Sequence, residues 1–244
     1  MKMGITNETL VGDIVKANYT AAHVFEKYGI DYCCSGDRSL DRACSSEGVD
    51  TGLLIMQLEE AMKQEDRGSK YIENLPLSTL CDYIVETHHQ YIHERSGFIQ
   101  EKLQKLCDVH GDHHPELFKI REMFNAASEN LRLHMIKEET ILFPYIRKME
   151  KMKLHGTTHT AETGNRKDPI EELKAEHTVE GDRFRQMAVL TNQFRVPSDG
   201  CNTYEVTYRT LDEFVRDLHR HIHLENNILF PKSVILQHEL TQKQ

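Results

Sequence analysis

An all-α protein is predicted: a four-helix up-down bundle preceded by a small helical N-terminal domain. Three observations carry this. Apolar residues recur at three- and four-residue spacing, few stretches alternate with period two, and the breaks hold the Gly and Pro that stop helices. At 244 residues and 39% hydrophobic content, the chain can bury a core in one large domain or two smaller ones. A net charge of −9 argues against nucleic acid as a partner. No run approaches the roughly 18 uninterrupted apolar residues of a membrane span. The start, Met1-Lys2-Met3-Gly4, lacks the apolar core of a signal peptide, so a cytoplasmic location is expected. Six cysteines in such a chain do not suggest a disulfide framework.

Residues 7–29 read as helical through Leu10, Val11, Ile14, Val15, Ala21, Ala22, Val24 and Phe25, with a break near Asn18-Tyr19-Thr20 and Gly29 as the stop. The turn-like Asp31-Tyr32-Cys33-Cys34-Ser35-Gly36 follows, then short helices over Leu40 to Ser45 and from Thr51 to Met62. These make a domain over residues 1–65. Residues 66–75, in a polar run containing Gly68, read as a linker.

The bundle is assigned to residues 76–244. Ser78 is the expected cap of a first helix reaching about Leu106. Val109 to Pro115 breaks it, and Pro115 suits the first turn of a second helix, which carries Leu117, Ile120, Phe124, Leu131 and His134 toward Pro144. The polar stretch 151–168 reads as a mobile loop. Asp168-Pro169 starts a third helix through His177 to Leu190, and the turn from Val196 to Gly200 precedes a fourth carrying Leu211, Phe214, Leu218, His221 and Glu225. These lengths fit an up-down bundle.

One pattern occurs twice. His134-Met135-Ile136-Lys137-Glu138, followed by Ile141-Leu142-Phe143-Pro144, returns 87 residues later as His221-Ile222-His223-Leu224-Glu225 and Ile228-Leu229-Phe230-Pro231. On a helix, residues four apart share a face, so each imidazole and carboxylate point the same way. A further histidine precedes each copy at matching distance: His89 lies 45 residues before His134, and His177 lies 44 before His221. A single His-x-x-x-Glu is usually a solvated ion pair. Its duplication with the same apolar tail and the same upstream spacing points to a metal site.

Four imidazoles and two carboxylates divide into two His per metal, with the carboxylates able to bridge. A structural zinc would favour tetrahedral closure, often with Cys. Six ligands over two ions leave open positions, which suits redox or small-molecule chemistry. Ferritin-like di-iron sites use a carboxylate-rich set with Glu-x-x-His. Here His precedes Glu by four and histidine dominates, which favours a hemerythrin-like site.

Asp31-Tyr32-Cys33-Cys34-Ser35-Gly36 and Leu224-Glu225-Asn226-Asn227-Ile228-Leu229-Phe230-Pro231 resemble the repair of iron centres (RIC) family over nearly the whole chain. The resemblance implies two non-haem iron ions, bridged by oxygen (Fe–O–Fe) or carboxylate, held by His89, His134, Glu138, His177, His221 and Glu225. It also implies repair of iron–sulfur clusters damaged by nitrosative or oxidative stress, through iron donation, nitric oxide removal or both. Damaged iron–sulfur proteins or cluster-assembly proteins would be the partners, nitric oxide or oxygen the small ligands, and a homodimer remains open. The rival reading is a hemerythrin-like oxygen or nitric oxide binder or sensor without turnover, which would not need the cysteine-bearing N-terminal domain. A nitric oxide reductase proper, benefiting clusters only indirectly, is a third. Whether the chain is an enzyme stays open.

His93, one turn past His89 and followed by Glu94 where family members often have Arg before Glu, stays an alternative ligand. Cys33 and Cys34 are candidate working thiols, against the plainer reading of small residues in a turn. Cys44, Cys81, Cys107 and Cys201 read as ordinary buried or loop cysteines. His110, His113 and His114 read as solvated, His219 and His223 as exposed, and Glu139 and Glu180 as surface charges or acceptors for metal-bound imidazoles.

Overall fold

The computed structural model describes residues 4–64, 66–156 and 169–241. Among them the all-α expectation holds: the one β feature is an isolated bridge between Leu10 and Ser39. Two compact units are present. The first comprises Met1–Leu80, Met149–Ala161 and Ile222–Gln244, and the second Cys81–Lys148 and Glu162–His221.

The first unit opens with α1 (Val11–Ala17), α2 (Thr20–Lys27), α3 (Leu40–Glu47) and α4 (Thr51–Ala61). The break between α1 and α2 has a local cause. Asn18 Oδ1 accepts from the Thr20 N–H at 2.9 Å and from its hydroxyl at 2.7 Å, competing with the helical ladder. Gly29 then takes a φ of 69°, open to glycine at little cost. Asp50 caps α4 by accepting from the Leu53 N–H.

Two local expectations need correction here. Part of the stretch read as a linker is helix α5 (Arg67–Glu73), because Asp66 accepts from the N–H groups of Gly68 and Ser69 and Ile72 is buried. Nor is Ser78 the cap of the next helix, α6 (Leu77–Ile84). The Glu150 carboxylate accepts from the N–H groups of Leu77 at 2.8 Å and Ser78 at 3.1 Å, satisfying the helix start from a distant residue.

The second unit is the four-helix bundle: the end of α6 with α7 (Gln90–His110), α8 (Glu116–Lys137), α10 (Pro169–Leu190) and α11 (Asn202–Leu224). Three buried rings from three helices form its centre. Phe124 lies 6.3 Å from Phe184 and 5.4 Å from Phe214, and the latter two are 5.7 Å apart between centroids. Neither Pro144 nor Pro231 ends its helix. The second helix runs on into α9 (Phe143–His155) and the fourth into α12 (Phe230–Thr241). Of the stretch read as a mobile loop, residues 151–155 are therefore helical, and 157–168 lie outside the described residues.

The continuations pass through π-helical turns at Glu138–Leu142 and Glu225–Leu229, where the N–H of Phe143 reaches the carbonyl of Glu138 and that of Phe230 the carbonyl of Glu225. A proline cannot donate to the carbonyl four residues back, and its ring crowds that group. The wider turn relieves the crowding, so Ile-Leu-Phe-Pro is the sequence mark of a π turn. A third lies at Val85–His89, with no proline after it, and nothing in the chain explains it.

Candidate metal centre

Three of the six residues singled out by the repeat stand at the edges of these π turns. His89 ends the first, Glu138 begins the second and Glu225 begins the third. Such turns re-aim side chains and are frequent at functional sites. His134 comes from α8, His177 from α10 and His221 from α11. None of the six is more than 3% exposed, and both carboxylates are fully buried.

The bundle brings five of them together. Glu138 reaches in two directions: Oε1 is 3.2 Å from His134 Nε2, and Oε2 is 3.4 Å from His89 Nε2. Each of those rings faces a second one. His134 Nε2 is 3.0 Å from His177 Nε2, and His89 Nε2 is 3.2 Å from His221 Nε2. Ligand atoms of His89, Glu138 and His221 thus lie within 4.8 Å of one another, as do those of His134, Glu138 and His177. One carboxylate joins two histidine pairs. Glu225 is on the helix that carries His221, four residues further on. His93 is exposed.

The partners of the outer ring nitrogens set what the inner ones can do. Glu139 accepts from His89 Nδ1 at 2.8 Å, and Glu176 from His134 Nδ1 at 2.8 Å. With the proton held on Nδ1, Nε2 presents a lone pair inward. Burial raises the Glu176 carboxyl, but hydrogen bonds from Lys137 and His134 outweigh it and hold the group below its ordinary value. Phe143 stacks on the His89 ring at 5.8 Å. Beside His221, the buried His88 bonds Asp217 at 2.9 Å and lies parallel to the His221 ring, 6.0 Å away.

This donor set fits a cation. The Nε2 lone pairs of His89 and His134 lie against carboxylate oxygens of Glu138 in a water-poor interior, an arrangement that a positive ion turns from repulsive to attractive. A cleft of about 400 Å³ reaches His134 and His177 past Leu133 and Val179, giving a small ligand a way in.

The comparisons with known proteins agree. Residues 82–233 match the hemerythrin HHE cation binding domain, and residues 7–62 match the domain of unknown function described as ScdA_N. The chain belongs to the hemerythrin HHE family. It is a metal-binding protein with a hemerythrin-like bundle. It is 31% identical to the iron–sulfur cluster repair protein ScdA of Staphylococcus haemolyticus over 228 residues, 93% of this chain and 99% of the relative. It is 32% identical to the iron–sulfur cluster repair protein YtfE of Yersinia pseudotuberculosis over 232 residues, 95% of this chain and 99% of the relative. These matches bear out the RIC family membership. Among the described residues no helix is long and apolar enough to cross a membrane.

The two stretches that carried the resemblance meet inside the first unit. Asn226 Nδ2 donates to the Cys33 carbonyl at 3.0 Å, and Asn227 Nδ2 to the Tyr32 carbonyl at 3.2 Å. Gly12 and Gly36 allow this approach, since a Cβ on either would come within 2.6 Å of Asn227 Oδ1. Asn227 Nδ2 also lies 3.0 Å from His223 Nδ1, whose ring packs against Tyr19 and Tyr32. His223 is therefore buried at 1% exposure, and the expectation of an exposed side chain is corrected. His219 is half-buried.

Asp31 organises the thiol turn. Its Oδ1 accepts from the N–H groups of Cys33 and Cys34 at 3.1 and 2.9 Å and from the Cys33 thiol at 3.4 Å. The two sulfurs are 3.8 Å apart and unbridged, Cys33 buried and Cys34 half-buried. The hydrogen bond with Cys34, followed by burial and the nearby Asp31, pushes the Cys33 thiol well above its ordinary value, so it stays protonated at neutral pH. Asp31, Cys33 and Cys34 offer ligand atoms within 4.8 Å of one another.

Residue identity alone does not show Glu176 as the partner of the His134 ring, or Asp217 as the partner of His88 beside His221. The signal for Glu176 was its place beside His177. Glu139, foreseen as a surface charge or an acceptor, is the acceptor; Glu180 is buried and bonded to Asn130 and Arg183.

Proposed function

We propose that the chain holds two non-haem irons through His89, His134, Glu138, His177, His221 and Glu225 and repairs iron–sulfur clusters damaged by nitrosative or oxidative stress. One observation carries the two-metal reading: the two oxygens of Glu138 face two different histidine pairs. A lone ion would need one pair. The repair role rests on the relatives, which carry that activity in their names. Bound iron would supply open coordination for nitric oxide or oxygen, one-electron redox chemistry and, if it leaves, the metal a damaged cluster lacks.

The chain's own residues do the rest. Glu139 and Glu176 hold the His89 and His134 rings in the tautomer that points Nε2 inward. Glu138 and Glu225 would offset the cationic charge, with Glu138 placed to bridge. In the division of labour we propose, residues 76–244 hold the metal, residues 1–65 present Cys33 and Cys34 to a damaged iron–sulfur protein, and the protein works in the cytoplasm. The raised Cys33 thiol argues against free thiolate attack. It is the closeness of the Asp31, Cys33 and Cys34 donor atoms that supports metal or nitrosyl capture, in which a bound cation would displace the thiol protons.

The test follows iron from the pure, loaded protein to an apo-cluster enzyme. Transfer with regained activity supports donation. Nitric oxide consumption without transfer supports removal at the centre, and ligand binding with neither supports a carrier or sensor. In the same assay, the Cys33→Ser/Cys34→Ser double variant is expected to keep its iron and lose most reactivation. Full reactivation would make the pair structural, and lost iron would make a thiol a ligand.

A further inference from the structure

A second cluster of reactive side chains lies at the start of α11. The carbonyl of Cys201 accepts the first bond of that helix, from the Glu205 N–H, so Cys201 is its N-cap. Its side chain is exposed, unlike the buried Cys33, Cys44, Cys81 and Cys107. His110, in the last turn of α7, brings Nε2 to 3.2 Å from the sulfur. Neither His110 nor His114 is simply solvated, as the sequence suggested; both are half-buried. His114 bonds Glu116 through Nδ1 at 3.0 Å and Asp199 through Nε2 at 3.1 Å, and packs edge-on against His110 and Tyr204. The hydrogen bond with Glu116, aided by that with Asp199, raises the His114 imidazole above its ordinary value.

We propose that Cys201, with His110 as ion-pair and proton partner, is a reversible thiolation site that reacts with low-molecular-weight disulfides. The thiolate attacks one sulfur of the disulfide. A new S–S bond forms to Cys201 as the old one breaks, and the leaving thiolate takes the proton carried by His110. Cys201 is oxidised to a mixed disulfide, one half of the reagent is reduced to a thiol, and a second thiol reverses the step. This goes beyond the metal centre and does not rest on it. Twenty residues of helix, about 30 Å at 1.5 Å per residue, separate Cys201 from His221.

The sulfur itself meets His110 Nε2 from α7 and the N–H groups of Tyr204 and Thr203. Behind His110 stand the rings of His114, just before α8, and Tyr204 in α11, with Glu116 and Asp199 bonded to His114. The His110 hydrogen bond, then the Tyr204 N–H, bring the thiol down from 9.0 to about 7. An attacking thiol is most effective when its pKa is near ambient pH. At pH 7 such a shift gives ~50-fold more thiolate, offset by roughly eight-fold lower nucleophilicity, a net gain of about six-fold.

The test uses the loaded full chain with dithiobis-nitrobenzoate, following thiolate release against pH, and with oxidised glutathione, following intact mass. We expect one fast equivalent per chain with a midpoint near pH 7, and a single glutathione adduct that a reducing thiol removes. Cys201→Ser should abolish both. His110→Gln should retain the equivalent, slow it roughly three- to six-fold at pH 7 and move the midpoint toward the ordinary thiol value. A fast equivalent that survives Cys201→Ser, an absent adduct, or an unmoved midpoint in His110→Gln would overturn the proposal.

Discussion

Replacing Glu138 by Ala is expected to take the protein from two irons per chain to well below one. The residue is fully buried, and its two oxygens lie 3.2 and 3.4 Å from Nε2 atoms belonging to different histidine pairs. Its loss removes a donor from both halves at once and leaves four imidazoles with less negative charge to balance two cations. His134→Ala should lose most iron as well, whereas Ala at the exposed His93 should leave the content unchanged. Elemental analysis of proteins purified side by side reads all three. Two irons retained in Glu138→Ala would remove the bridging role, and iron lost only in His93→Ala would move the ligand one turn along α7.

The second large effect concerns stability. Phe214 is fully buried, and its ring meets those of Phe124, Phe184 and Tyr91 at 5.4, 5.7 and 6.3 Å. Truncating such a side chain costs about 3–5 kcal/mol, the lost transfer energy plus the cavity left behind. In a chain of this size that lowers the melting temperature by roughly 10 °C. Phe118 is 45% exposed, so Phe118→Ala should stay within about 0.5 kcal/mol of the parent. Thermal unfolding of the two variants checks the contrast. Equal small shifts would mean that the three-ring contact does not hold the bundle together.

Much of this was legible in the sequence because helical periodicity and the doubled His-x-x-x-Glu are local patterns. His134 with Glu138 and His221 with Glu225 needed only the 3.6-residue repeat to share a face. The helix ends were less legible. Periodicity carries the second helix only as far as Pro144, yet a π turn absorbs that proline and the helix runs on, and five-residue bonding leaves only the Ile-Leu-Phe-Pro tail as its sequence mark. Contacts between distant segments were out of reach. Glu150 capping α6, Asn227 against the Cys33 turn, and Glu176 on His134 pair residues 73, 195 and 42 positions apart whose types are unremarkable alone. His223 shows the same limit: its helical phase, two residues from His221, says that it faces elsewhere, and only the packing shows that elsewhere is also buried.

The central claim is a single centre of two irons joined by Glu138. Iron quantification together with Mössbauer spectroscopy of the loaded protein tests it most directly. Two irons per chain in one magnetically coupled pair is the predicted result; one iron per chain, or two irons without coupling, would contradict it.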